Sequence, residues 1–205
     1  MSGTTTTTER RKAPMTREAI GAEIQQDGRR IYHPIQKDYA TFLETSEETG
    51  GEHTLIEIEV APGGGTTPHY HLTYAEHFEV VSGALEVMVG GETRTLSAGE
   101  KAVAPKNTLH NFHNATDGPT TFLVELRPGS SGFEKALRVA YGLASDGRSN
   151  SKGLPKNLYH TALLFEWGEG RLPGIFALLE PVFGLLAKRA RKKGVDRELE
   201  ARYCR

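Results

Sequence analysis

Gly63-Gly64-Gly65-Thr66-Thr67-Pro68-His69-Tyr70-His71-Leu72-Thr73-Tyr74-Ala75-Glu76-His77-Phe78-Glu79-Val80-Val81-Ser82-Gly83 is the stretch on which the reading of this chain turns. His69 and His71 are two positions apart. On an extended strand, alternate side chains share a face, so both imidazoles point the same way about 7 Å apart along the backbone. A short gap then leads to Glu76, far enough for a loop to return a carboxylate to the same pocket. Downstream, Pro105-Lys106-Asn107-Thr108-Leu109-His110-Asn111-Phe112-His113-Asn114 is rich in turn formers and delivers His110 onto another strand. Three imidazoles and one carboxylate suit a divalent first-row metal such as Fe, Mn, Ni, Co, Cu or Zn, with one or two exchangeable positions left over. The residues point to a metal centre inside a β-barrel.

The surrounding sequence supports a β-rich fold without help from the histidines. From Arg30 the chain runs in short alternating or apolar segments broken by Gly and Pro, and strands are expected over 30–35, 39–45, 53–60, 76–82, 84–89, 92–96, 101–104, 109–115 and 120–127. Gly90-Gly91 reads as a tight hairpin turn. Many short strands at regular spacing argue for a sandwich or barrel.

These residues resemble the two motifs of the cupin family, in particular the bacterial single-domain (type 2) cupins. Gly63, His69, His71, Glu76 and Gly83 fall on the defined positions of the first motif. Gly99, Pro105, His110 and Asn114 fall on those of the second, and Asn107 stands where the family usually has Gly. Asn is among the residues that best tolerate φ > 0, so a turn survives the change. The resemblance spans roughly residues 30 to 128. It implies a double-stranded β-helix (jelly-roll) barrel with His69, His71, Glu76 and His110 as metal ligands. It does not imply one reaction, because the family includes dioxygenases, isomerases, epimerases, decarboxylases, storage proteins and sensing domains.

Strand parity sorts the neighbouring side chains. Glu76, Phe78 and Val80 face inward and His77, Glu79 and Val81 outward; His110, Phe112 and Asn114 face inward and Asn111 and His113 outward. His77 and His113 are therefore read as outer-face residues, and His33, His53 and His160 lie outside any ligand-spaced cluster. Phe78, Val80, Leu85, Val87 and Phe112 are expected to give the pocket an apolar wall. Tyr74, in the loop before Glu76, either reaches the cavity mouth and offers its hydroxyl to a ligand or packs on a neighbour.

Three regions are expected. Residues 1–28 are expected to form an arm, disordered up to about Lys12, where the chain is Thr-rich and has no apolar residue after Met1, then with a short helix over 13–28; residues 29–128 form the barrel; residues 129–205 form a helical extension. In the extension, Ser130 or Ser131 caps a helix carrying Phe133, Leu137, Ala140, Tyr141 and Ala144 on one face. A second helix is expected over 155–167 with Pro155 in its first turn, and a third over 173–193 kinked at Pro181. Residues 172–187 carry one charge, Glu180, and a basic run follows from Lys188 to Lys193. At 1.5 Å per residue this stretch is too short to span a bilayer. It is read as a helix docked on the barrel or across a dimer, with membrane-surface contact through 172–193 as the alternative.

Composition sets limits. The 205 residues carry 25 basic and 26 acidic side chains, so no overall field draws nucleic acid. The single cysteine, Cys204, excludes an intrachain disulfide. No secretory signal is legible, and a cytoplasmic location is expected. The expected function is metal-dependent small-molecule chemistry, of dioxygenase type with Glu76 as general base. A non-catalytic ligand-binding or sensing protein and a metal-dependent isomerase or lyase are the alternatives. A homodimer is expected, because small barrels otherwise leave strand edges exposed.

Overall fold

The computed structural model describes residues 28–174 and 179–204. The expectations for the N-terminal arm lie, all but Gly28, outside the described residues. The elements in chain order are β1 (Arg30–His33), β2 (Asp38–Glu44), β3 (Thr54–Val60), β4 (Tyr70–His71), β5 (Ala75–Ser82), β6 (Ala84–Val89), β7 (Glu92–Ser97), β8 (Lys101–Ala104), β9 (His110–His113), β10 (Thr120–Arg127), α1 (Ser131–Ser145), α2 (Leu158–Trp167), β11 (Gly170–Arg171), α3 (Glu180–Lys192) and α4 (Val195–Tyr203).

The fold is mainly β and antiparallel. One sheet has the order β1-β2-β3-β10-β5-β8, a second β7-β6-β9, and β11 pairs with β4. Strict alternation in β3, β5 and β10 sends every second side chain inward. The inward set, including Phe42, Ile56, Phe78, Leu85 and Phe122, fills the space between the sheets. Gly90 and Gly91 both adopt positive φ (62° and 94°), the geometry of the tight turn that joins β6 to β7.

A continuously closed barrel was expected; among the described residues the ladders remain separate sheets. The reason lies in residues 61–69. Gly63 and Gly65 take φ values of 70° and 155°, and Pro68 has no N–H to donate. That stretch therefore follows the 110–114 segment through single contacts, such as Gly63 N–H to Asn114 O at 2.8 Å and Thr66 N–H to Phe112 O at 3.0 Å.

The helical region departs from expectation in three details. Helix α1 begins as expected, with the Ser130 hydroxyl accepting from Phe133 N–H. Helix α2 starts later, because the Asn157 side chain accepts from Tyr159 N–H at 2.8 Å and caps it there, leaving Pro155 outside. Helix α3 starts at Glu180 with Pro181 in its first turn, where the missing N–H costs nothing, so the proline opens the helix instead of kinking it. Gly194 (φ 75°) then breaks the chain before α4, a helix not anticipated.

Helix α1 joins two cores. Phe133, Leu137 and Ala140 pack against the sheet core, whereas Val139 and Leu143 join Leu163, Ala187, Ala190 and Leu199 in a second, purely helical cluster. Helix α3 thus docks on the other helices, not on the sheet. No helix among the described residues is long and apolar enough to cross a membrane.

Candidate metal centre

Three separate backbone devices bring the four residues together. His69 and His110 form an isolated antiparallel bridge, with His69 N–H donating to His110 O at 3.0 Å and His110 N–H to His69 O at 2.8 Å. Asn107, at φ 63°, donates its N–H to His71 O at 2.7 Å, so the turn of the second motif is tied to the ligand strand of the first. Glu76 lies on β5, paired with Leu126 of β10 on one side and Ala104 of β8 on the other. One ligand atom from each of His69, His71, Glu76 and His110 lies within 4.8 Å of the others. This cluster could hold a metal ion.

The hydrogen bonds of the imidazoles fit that use. His69 Nδ1 donates to Thr67 O and His110 Nδ1 to Thr108 O, both at 2.9 Å, and His71 Nδ1 is 2.7 Å from the Tyr74 hydroxyl. With each Nδ1 engaged, each Nε2 is left as the potential ligand atom. His71 Nε2 and His110 Nε2 are buried without a hydrogen-bond partner. Glu76 oxygens lie 3.0 and 3.4 Å from them, close but not aligned as hydrogen bonds. Buried nitrogens left unpaired in this way carry a desolvation cost that a cation would remove.

The buried carboxylate of Glu76 and the three imidazoles set one another's protonation. Burial, reinforced by the neighbouring His71 and His110, pushes His69 down to about 3, so it stays neutral. Burial alone would raise Glu76, but the attraction of His71 and His110 outweighs it and holds the carboxyl well below its usual range. For His110, burial opposes protonation and Glu76 overcomes it, so its pKa is raised. The donor set of three nitrogens and one carboxylate oxygen suits the divalent first-row metals.

A cavity of about 240 Å³ opens onto His69, His71 and Glu76. Its floor is sheet, with Ile56, Ile58, Phe112 and Val124; its roof is helical, with Phe133 and Leu137 of α1 and Leu164 and Phe165 of α2. Of the side chains expected to line it, Phe112 does. Phe78, Val80, Leu85 and Val87 are buried in the sheet core instead, beyond the cavity wall. Tyr74 is not at a cavity mouth: it is 1% exposed and donates its hydroxyl proton to Gly168 O at 2.7 Å. The remaining histidines go elsewhere. His77 and His113 are on the outer faces of β5 and β9, His53 pairs with Glu44 at 2.6 Å, and His33 and His160 are buried away from the cluster.

Sequence reasoning missed the roof. Phe133, Leu137 and Ala140 were legible as one helix face, but nothing in their spacing said that the face covers a metal site. Gly170 and Arg171 also line the cavity, and their two-residue pairing with His71 and Tyr70 is too short to leave a pattern.

Comparison with known proteins places these features. Residues 56–125 match the family model described as "Cupin domain". Mannose-1-phosphate guanylyltransferase ManC of Salmonella typhimurium strain LT2 is 31% identical over 109 residues, 53% of this chain and 22% of that protein. The tetracenomycin polyketide synthase protein TcmJ of Streptomyces glaucescens is 30% identical over 74 residues, 36% of this chain and 50% of that protein. The solved structure of KdgF from Halomonas sp. aligns with a TM-score of 0.43 at 24% identity, covering 46% of this chain and 82% of that one. The chain thus spans about a fifth of the guanylyltransferase and half of TcmJ. Both histidine-bearing motifs fall inside the matched segment, between the antiparallel strands that present them, and residues 56–125 carry a cupin domain.

Proposed function

We propose that this chain is a metal-dependent small-molecule enzyme that holds one divalent transition metal (Fe, Ni, Mn, Zn, Co or Cu) with His69, His71, Glu76 and His110. The reaction proposed is of dioxygenase type, on a phenol, enol or diketone. The observation that carries this reading is a cavity whose polar end is His69, His71 and Glu76 and whose walls are otherwise mostly apolar. A bound first-row metal supplies Lewis-acid polarisation of a substrate oxygen and access to dioxygen chemistry. Dioxygen is then the oxidant and both of its atoms enter the product, so no further reductant is consumed.

The chain's own residues do the rest. Glu76, held as a carboxylate, is the acceptor for the acidic proton of an enol or phenol. Phe112, Phe133 and Phe165 offer ring surfaces for a planar substrate, and α1 and α2 cover the cavity on the side facing the sheet. The name of TcmJ supports this substrate class, since polyketide skeletons are rich in phenols and 1,3-diketones.

A second reading, a metal-dependent isomerase or lyase, is favoured by the guanylyltransferase relatives, whose names point to sugar phosphates. Against it, a polyhydroxylated sugar needs many polar partners, and this cavity offers few. A non-catalytic ligand-binding role uses the same residues. Oxygen uptake across phenolic and diketone substrates separates the three. Uptake by the wild type, retained metal but lost turnover in Glu76→Gln, supports the dioxygenase. Metal-dependent turnover without oxygen consumption supports the isomerase or lyase, and ligand binding without turnover supports the sensor. A homodimer is part of the proposal: Val103 on edge strand β8 and Val182 and Leu185 on α3 are exposed apolar side chains that a partner copy would cover.

A further inference from the structure

We propose that Tyr74 is a positioning residue that sets the tautomer of His71 and fastens the roof of the cavity to that histidine. The inference rests on the reading of His69, His71, Glu76 and His110 as metal ligands.

Tyr74 lies in the turn between β4 and β5 and is 1% exposed. Its hydroxyl oxygen is 2.7 Å from Gly168 O and 2.7 Å from His71 Nδ1. A phenol has one proton, and a carbonyl oxygen can only accept. The proton therefore goes to Gly168, and towards His71 the hydroxyl accepts. Nδ1 of His71 must carry the hydrogen, which leaves the lone pair on Nε2, the nitrogen beside Glu76. That is the tautomer a metal ion requires there.

Tyr74 differs from the other two orienting groups. His69 and His110 are held by backbone carbonyls, which no substitution removes. Only His71 depends on a side chain, and that side chain reaches across to the helical region. Gly168 closes α2, Gly170 and Arg171 pair with His71 and Tyr70, and the Thr73 hydroxyl donates to the Glu169 carboxylate. The Tyr74 ring also stacks on His71 at 4.5 Å and meets Phe133 of α1 edge-on at 5.7 Å. Order in residues 168–171 and the orientation of one ligand are thus a single arrangement. By linkage, a metal that favours the oriented His71 also favours the ordered roof, and to the same degree in reverse.

The test uses the full chain and zinc alone as the probe. Two-bond ¹H–¹⁵N correlations on the metal-free wild type read the His71 tautomer directly. The expected result is hydrogen on Nδ1, and hydrogen on Nε2 overturns the proposal without any variant. Tyr74→Phe keeps the ring stack and removes the hydroxyl. It is expected to populate both His71 tautomers and to weaken zinc binding about 10- to 100-fold. Zinc should slow amide exchange over residues 168–171 in wild type and lose that effect in the variant. A Tyr74→Phe chain that is merely less stable, with tautomer and zinc affinity unchanged, overturns the positioning role. A wild type with hydrogen on Nδ1 that binds no zinc overturns the metal reading and leaves the tautomer assignment standing.

Discussion

His69 and His110 hold each other in place by backbone alone: each donates its N–H to the other's carbonyl, and their rings lie 4.5 Å apart. The frame of the site therefore does not depend on the imidazoles that line it. Removing either ring should leave the metal-free chain folded, because each ring brings a buried polar nitrogen as well as packing. His69→Ala and His110→Ala are expected to melt within a few degrees of the metal-free wild type. The wild type should gain about 2.7 kcal/mol at a free metal concentration one hundred times Kd. For a chain of this size that is roughly 5–10 °C in Tm. Calorimetry with and without metal checks both points, and an equal metal-induced rise in the variants counts against the site.

Asn107 carries a backbone conformation that its side chain merely tolerates. At φ 63° it donates to His71 O, so its turn aligns the ligand strand. Asn107→Gly should be close to neutral, because the relief of strain offsets the greater freedom of the unfolded chain. Asn107→Val should cost about 1–2 kcal/mol. Urea titrations with an unchanged m-value read this directly; equal stability of the two variants would show that the turn does not need a left-handed residue.

Gly142 sits where α4 crosses α1. A Cβ there would lie 2.2 Å from Tyr203 Cδ1, inside van der Waals contact. Alanine gains about 1 kcal/mol of helix propensity, but displacing a ring whose hydroxyl is tied to Asp146 costs about 1–3 kcal/mol. Gly142→Ala should therefore be net destabilising. A rise in Tm would mean that α4 moves away freely.

Burial pushes Asp38 up to about 7, even though the Tyr141 hydroxyl donates to it at 2.9 Å. The folded chain then holds more protons here than the unfolded chain between pH 3.8 and about 7. Its contribution to stability is complete below about pH 4 and is lost as pH rises towards 7. His33, whose ring meets Tyr141 edge-on at 5.0 Å, is pushed down to about 4 by burial and works in the opposite sense, losing stability as pH falls from 6.5. The two slopes oppose each other in wild type, so the difference from Asp38→Asn isolates the carboxyl. That variant should gain on wild type as pH rises from about 4 to 7, by up to about 4 kcal/mol. Parallel stability profiles would contradict the shift.

What could be read from sequence was what has a period. The alternation around Glu76, Phe78 and Val80 is visible because a half-buried strand repeats every two residues, and the helix face from Phe133 to Ala144 because a turn repeats every three or four. The spacing of His69, His71, Glu76 and His110 is legible because donor types with metal chemistry are rare enough to stand out. Tyr74, Gly168 and Arg171 were not legible in their roles. Their relation to His71 joins segments nearly a hundred residues apart through one hydroxyl and a two-residue ladder, and contacts of that kind leave no local pattern. Pro181 was misplaced for a related reason: proline marks both a helix start and a kink, and only the helix boundary at Glu180 shows which applies.

The central claim is that four side chains hold one metal ion, and its most direct test is metal content by elemental analysis alongside native mass. Wild type and His110→Ala would be measured as purified and after reconstitution with Fe(II), Mn(II), Co(II), Ni(II), Cu(II) and Zn(II). One equivalent per chain in wild type, and none above background in the variant, is the predicted result. A wild type that takes up no metal, or a variant that retains its equivalent, would contradict the account.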